Sequence, residues 1–101
     1  MNKNEEVAIR YKKHRLSDNL YLLTPEELIV GYSVNPIFYS IDTHVVADSK
    51  EDIEANESLV DKIFKVSDLC EAYDYNDPEF VKSYFFEEEK NQALIIDTSN
   101  S

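Results

Sequence analysis

Gly31 is the only glycine in a chain of 101 residues, so a left-handed backbone comes without steric cost at one position only. Other reversals must use ordinary φ, or Asn and Asp, which tolerate the left-handed region better than most residues. The same scarcity excludes chemistry. A glycine-rich loop that brings backbone N–H groups against phosphates cannot be built from one glycine, so kinase, GTPase and dinucleotide-binding readings fall together.

Around that point the chain divides into short periodic stretches. Val7, Ile9 and Tyr11 alternate with Ala8, Arg10 and Lys12, the pattern of a half-buried strand. Ser17-Asp18-Asn19 is a turn cluster after which Leu20 to Leu23 can return antiparallel. Thr24-Pro25-Glu26-Glu27 reads as a helix start, with Thr24 as cap, Pro25 at the first position and Glu27 closing a capping box. A short helix to about Val30 follows, and Gly31 ends it with positive φ. Ile37, Tyr39, Ile41, Thr43 and Val45 alternate as the clearest strand. Ser49 with Asp52 opens a helix to about Lys65, placing Ile53, Leu59, Val60, Ile63 and Phe64 on one side. Ser67 caps a short turn carrying Leu69, Cys70 and Tyr73, and Asp77-Pro78 begins a third helix with Phe80, Val81, Tyr84 and Phe85 on its apolar face. Ala93 to Ile96 is a final strand and residues 97–101 a flexible tail. These elements predict one α+β domain over residues 1–101: a small antiparallel sheet in a β-rich N-terminal half, packed with two to three helices from a helical C-terminal half.

Hydrophobic residues make up 43% of the chain, which places it among globular proteins despite 21 acids against 10 Lys and Arg, a net charge of -11. Residues 1–16 carry a net +3 and residues 17–101 a net -14. An acidic body of that size repels nucleic acid and anionic membranes and speeds encounter with a basic partner. The basic stretch Tyr11 to Arg15 reads as a cationic edge lying against the protein's own acids rather than as a phosphate-binding patch. No apolar run approaches membrane-span length, no signal-peptide core follows Met1, and a single cysteine suits a reducing compartment, so a cytoplasmic protein is expected. Eight lysines against two arginines, with eight Asn and eight Ile, suit the codon supply of a low-GC bacterium or its phage.

Catalytic constellations fail on spacing. A calcium loop from Asp74 puts Glu79 where glycine is needed and Phe85 where a bidentate Glu is needed. One Cys and two His supply no zinc-ligand pair, so neither metal nor cofactor is expected. Cys70 lies beside Asp68 and Glu71, which keep a thiol protonated. Asp42 and His44, two apart on one strand face, are the sharpest acid/base candidate, and a surface pair is the commoner meaning of that spacing. The chain is read as a non-enzyme.

The acidic surface remains. On the expected helix Glu54, Glu57 and Asp61 form a stripe with Glu51 one turn earlier, spaced about 5 to 6 Å apart like neighbouring helical side chains in general. Glu71, Asp74, Asp77 and Glu79 line the connection into the third helix, and Glu87, Glu88 and Glu89 end it, where they oppose the helix dipole. Tyr75 inside the acidic connection and Phe86 beside it are candidate aromatic anchors.

In size and composition the chain resembles the small acidic inhibitors that phages direct against host DNA-handling or defence enzymes, including DNA mimics and anti-CRISPR proteins. That resemblance implies a monomer or small homo-oligomer that blocks the basic nucleic-acid-binding surface of a bacterial host enzyme. The alternative is an immunity protein or antitoxin neutralising a basic nuclease toxin. An enzyme using Asp42 and His44 and an accessory subunit whose acidity serves solubility are the further classes.

Overall fold

The structure, a computed structural model, describes residues 6–55, 57–65 and 91–99. Strand accounts for 70% of them and helix for 9%. The expected α+β arrangement with a helical C-terminal half is therefore overturned. The elements are β1 (Glu6–Ser17), β2 (Leu20–Val30), β3 (Ser33–Pro36), β4 (Ser40–Ala47), α1 (Lys50–Ala55), β5 (Leu59–Lys65) and β6 (Gln92–Asp97). The strands form one mixed sheet in the order β4-β6-β2-β1-β5, with β3 also paired to β2. The sheet is not wholly antiparallel, because β4 runs parallel to β6.

β1 and β2 form the hairpin expected from the alternation and turn cluster, with Ser17 opposite Leu20. No residue other than glycine among those described has positive φ, so Asp18-Asn19 is not one of the hairpin turns whose twist matches the strands unaided. A register shift between Arg15 and Ser17 leaves Leu16 as an extra residue, and such a bulge adds the missing twist.

Residues 24–30 are strand rather than helix. The capping signature is instead the site of a second register shift: Arg10 lies opposite Glu27 and Tyr11 opposite Pro25, leaving Glu26 as the extra residue. The Lys13 amide donates to Ser58 O across β1–β5 at 2.8 Å, so Tyr11, of the same parity, also turns its N–H towards β5. Pro25 opposite it then points its nitrogen away from β1. On that side β2 pairs with β6 through Leu20 to Leu23 and with β3 through Glu27 to Val30. Pro25 thus sits in the gap between two partners, where a central strand can lack a donor.

Gly31 does have positive φ, at 59°, but it ends a strand and not a helix. Val30 pairs with Ser33 across Gly31-Tyr32, and positive φ at the first central residue alone is the signature of a type II′ turn.

The second helix reading is also corrected. Ser49 does start α1, its carbonyl accepting from the Ile53 amide at 3.2 Å, but the helix stops at Ala55 and Leu59–Lys65 is β5. Alternation explains the outcome: Val60, Lys62 and Phe64 turn inward while Leu59, Asp61 and Ile63 are exposed, a period of two that the inward Lys62 disguises in the sequence.

The core lies on one face of the sheet. Val7, Ile9 and Tyr11 of β1, Tyr21, Leu23 and Leu28 of β2, Val60 of β5 and Ile96 of β6 pack together under Ile37 and Ile53. Ile53, 1% exposed, is the side chain by which α1 covers the sheet, and full burial of a residue of this size stabilises by about 1.5–3 kcal/mol. β6 realises the expected final strand. Beyond it Thr98 is buried, its amide and hydroxyl donating to Asn19 O at 2.9 and 3.2 Å.

Candidate functional site

The acidic stripe expected on one helix does not form as such. Glu51 and Glu54 lie on α1, Glu57 follows it in the connection to β5, and Asp61 is on β5. The first three are exposed along one stretch, joined by Asp52, which the helical spacing had not singled out. Asp61 belongs elsewhere: with the helix ending at Ala55 the i, i+4 relation to Glu57 is lost, and Asp61 points to the face of the sheet opposite the core.

The α1 carboxylates rest on a fixed base. Asp48 accepts from the Ser49 amide at 2.8 Å, and the Ser49 hydroxyl donates to Glu51 at 2.9 Å. Hydrogen bonds from its own backbone amide and from Ser49 hold the Glu51 carboxyl below the usual range. From beneath, Lys13 of β1 donates its ammonium to Ile53 O at 2.8 Å, and the same nitrogen lies 5.7 Å from the centre of the Tyr21 ring, within cation–π reach. The Tyr21 hydroxyl donates to Glu54 at 3.4 Å, and Lys50 lies 3.9 Å from the same carboxylate oxygen. Lys62, reaching inward from β5, pairs with Asp48, and burial lowers its pKa.

The basic stretch divides by strand parity. Tyr11, Lys13 and Arg15 take the inner side, with Arg15 bonded to Asp18 at 2.7 Å. On the opposite face Arg10 makes a two-pronged contact with Asp61 at 2.8 and 3.1 Å and lies 3.9 Å from Glu27. The Asp61 hydrogen bond is the main reason the Arg10 pKa is raised. Cations near the N-terminus therefore neutralise the chain's own acids, Asp61 among them.

Asp42 and His44 are exposed on β4, where His44 is in register with Leu94. Among the described residues no group of three or more His, Cys, Asp or Glu side chains is placed to hold a metal ion. A shallow depression of about 210 Å³ on the outer face is lined by Glu6, Val7, Ala8, Ile29, Gly31 and Ile63, which offer neither nucleophile nor base pair for catalysis. Glu71, Asp74, Tyr75, Asp77, Glu79, Phe86, Glu87, Glu88 and Glu89, and with them Cys70 and the two later helices, lie outside the described residues.

Sequence reasoning missed Lys13 and the Asp48–Lys62 pair. The signal for Lys13 was its parity with Tyr11, which sends it to the core side. No helix among the described residues is long and apolar enough to cross a membrane. Comparison with known proteins gives no match to a family model, to a curated protein or to a solved structure.

Proposed function

We propose that this chain is a non-enzymatic acidic inhibitor that occupies the basic nucleic-acid-binding surface of a host DNA-handling or defence enzyme. The observation that carries the reading is the net charge of -11 together with the exposed run Glu51, Asp52 and Glu54, mounted on a helix that Ile53 and Lys13 fix to the sheet, and Glu57 just beyond it. Carboxylates on an anchored element lose little freedom when they meet a cationic groove, which is where preorganisation favours affinity. Opposite charge also accelerates the encounter, and salt weakens that acceleration. Asp61, already satisfied by Arg10, takes no part in this surface.

The test is capture from a low-GC bacterial lysate followed by competition. A retained basic, nucleic-acid-binding protein that duplex DNA displaces supports the proposal. Retention that duplex DNA leaves unchanged, or a gel shift of duplex DNA by the chain itself, overturns it.

A further inference from the structure

The sheet has three edges among the described residues, and two are protected against pairing with another strand. β3 is four residues long and ends on Pro36, and β5 carries Lys62 and Lys65. Short strands, proline and lysine are the usual ways of blunting an edge. β4 has no lysine, arginine or proline over its eight residues, Ser-Ile-Asp-Thr-His-Val-Val-Ala, and its one irregularity is a register shift against β6 between Ser40 and Thr43, which leaves Ile41 and Asp42 without a paired residue on β6. Its only sheet partner among the described residues is β6. Ile41 is 93% and Val45 74% exposed, an arrangement that costs apolar surface in an isolated chain.

The pattern is also self-complementary. When two copies of β4 run antiparallel about a two-fold axis at Thr43, Ile41 stands opposite Val45 of the second copy, Asp42 opposite His44, and Thr43 opposite itself. Each is a favourable cross-strand pair: aliphatic on aliphatic, carboxylate on imidazole N–H, hydroxyl on hydroxyl. A carboxylate accepts several hydrogen bonds, so Asp42 can take this donor alongside others. A two-fold interface demands this kind of reciprocity, in which one patch meets itself. We propose that the chain forms a homodimer by antiparallel β4–β4 pairing centred on Thr43, joining two sheets into one. This goes beyond the inhibitor reading and stands or falls separately from it.

Sedimentation of the full chain over a concentration series tests the proposal. The wild type is expected to sediment at the mass of two chains. Ile41→Lys, at a side chain that packs against almost nothing in the single chain, is expected to sediment as one chain with an unchanged thermal midpoint. His44→Glu sets like charges opposite each other and also gives one chain, and Asp42→Lys with His44→Glu restores the dimer by reversing the pair. A wild type that stays at one chain throughout overturns the proposal, as does an Ile41→Lys variant that remains a dimer. Failure of the double variant to restore the dimer overturns the Thr43-centred pairing.

Discussion

Lys13 reaches from the second half of β1 to the carbonyl of Ile53, 2.8 Å away, and so ties a six-residue helix to a strand forty positions earlier in the chain. A helix this short is not stable by itself. Its place depends on the buried Ile53 and on that ammonium satisfying a carbonyl near the helix end, where positive charge also complements the dipole. Lys13→Met keeps most of the stem and removes the charge. The expected loss is about 1.5–3 kcal/mol, the range for a hydrogen bond to a charged donor, and urea unfolding measures it.

Ile53→Ala is the apolar counterpart. With the side chain 1% exposed, truncation is expected to cost about 2–5 kcal/mol. The far-ultraviolet spectrum should keep its strand signature at low temperature, since the β1–β2 hairpin does not include this residue.

Pro25 is expected to resist replacement although it interrupts a central strand. Pro25→Ala adds an N–H aimed into the gap between β6 and β3 and frees the unfolded chain, together costing about 1–3 kcal/mol. A rise in thermal midpoint on this substitution would contradict the placement of the gap.

Tyr11 supplies a pH dependence. Burial raises its phenol pKa above the ordinary value, so the folded state holds the proton after the unfolded state has released it. Stability from this source is intact below the unfolded value and is lost as pH rises from about 10 towards the folded pKa, at up to about 1.36 kcal/mol per pH unit. Tyr11→Phe should flatten the alkaline limb of the stability curve by one proton and leave the neutral region nearly unchanged. An alkaline slope identical to wild type would mean that the phenol ionises freely in the folded protein.

The two acidic sites should behave differently. Glu51, Glu54 and Glu57 changed together to Gln should slow association with a captured basic partner and reduce its salt sensitivity. Asp61→Asn should leave association unaltered and cost under about 1 kcal/mol of stability, as exposed ion pairs do. Equal slowing by both would remove the distinction drawn between the faces.

Local signals read correctly wherever the structure depends on neighbours in sequence. The alternation of Val7, Ile9 and Tyr11, the turn at Asp18-Asn19, the positive φ of Gly31 and the helix start at Ser49 are all of this kind. Thr24-Pro25-Glu26-Glu27 misleads because its role depends on β6 and β3, strands that lie later in the chain and decide where β2 can do without a donor. The segment 59–65 misleads for a related reason. Leu59, Val60, Ile63 and Phe64 satisfy a helical period as well as an alternating one, and the inward position of Lys62 follows from Asp48, a partner fourteen residues away. The acidic stripe inherited that error, since Glu54, Glu57 and Asp61 share a face only if the helix continues.

The insertion of β6 between β2 and β4 sets the order in which the chain can finish folding. β1, β2, β3 and β5 can pair as soon as residue 65 has been made, but β4, though older than β5, has no place in the sheet until residues 92–97 arrive. The bond from Thr98 to Asn19 spans 79 positions, and closing so long a loop is slow. Among the described residues, therefore, Leu20 to Leu23 gain their second neighbour and β4 its place in the sheet only through the last strand.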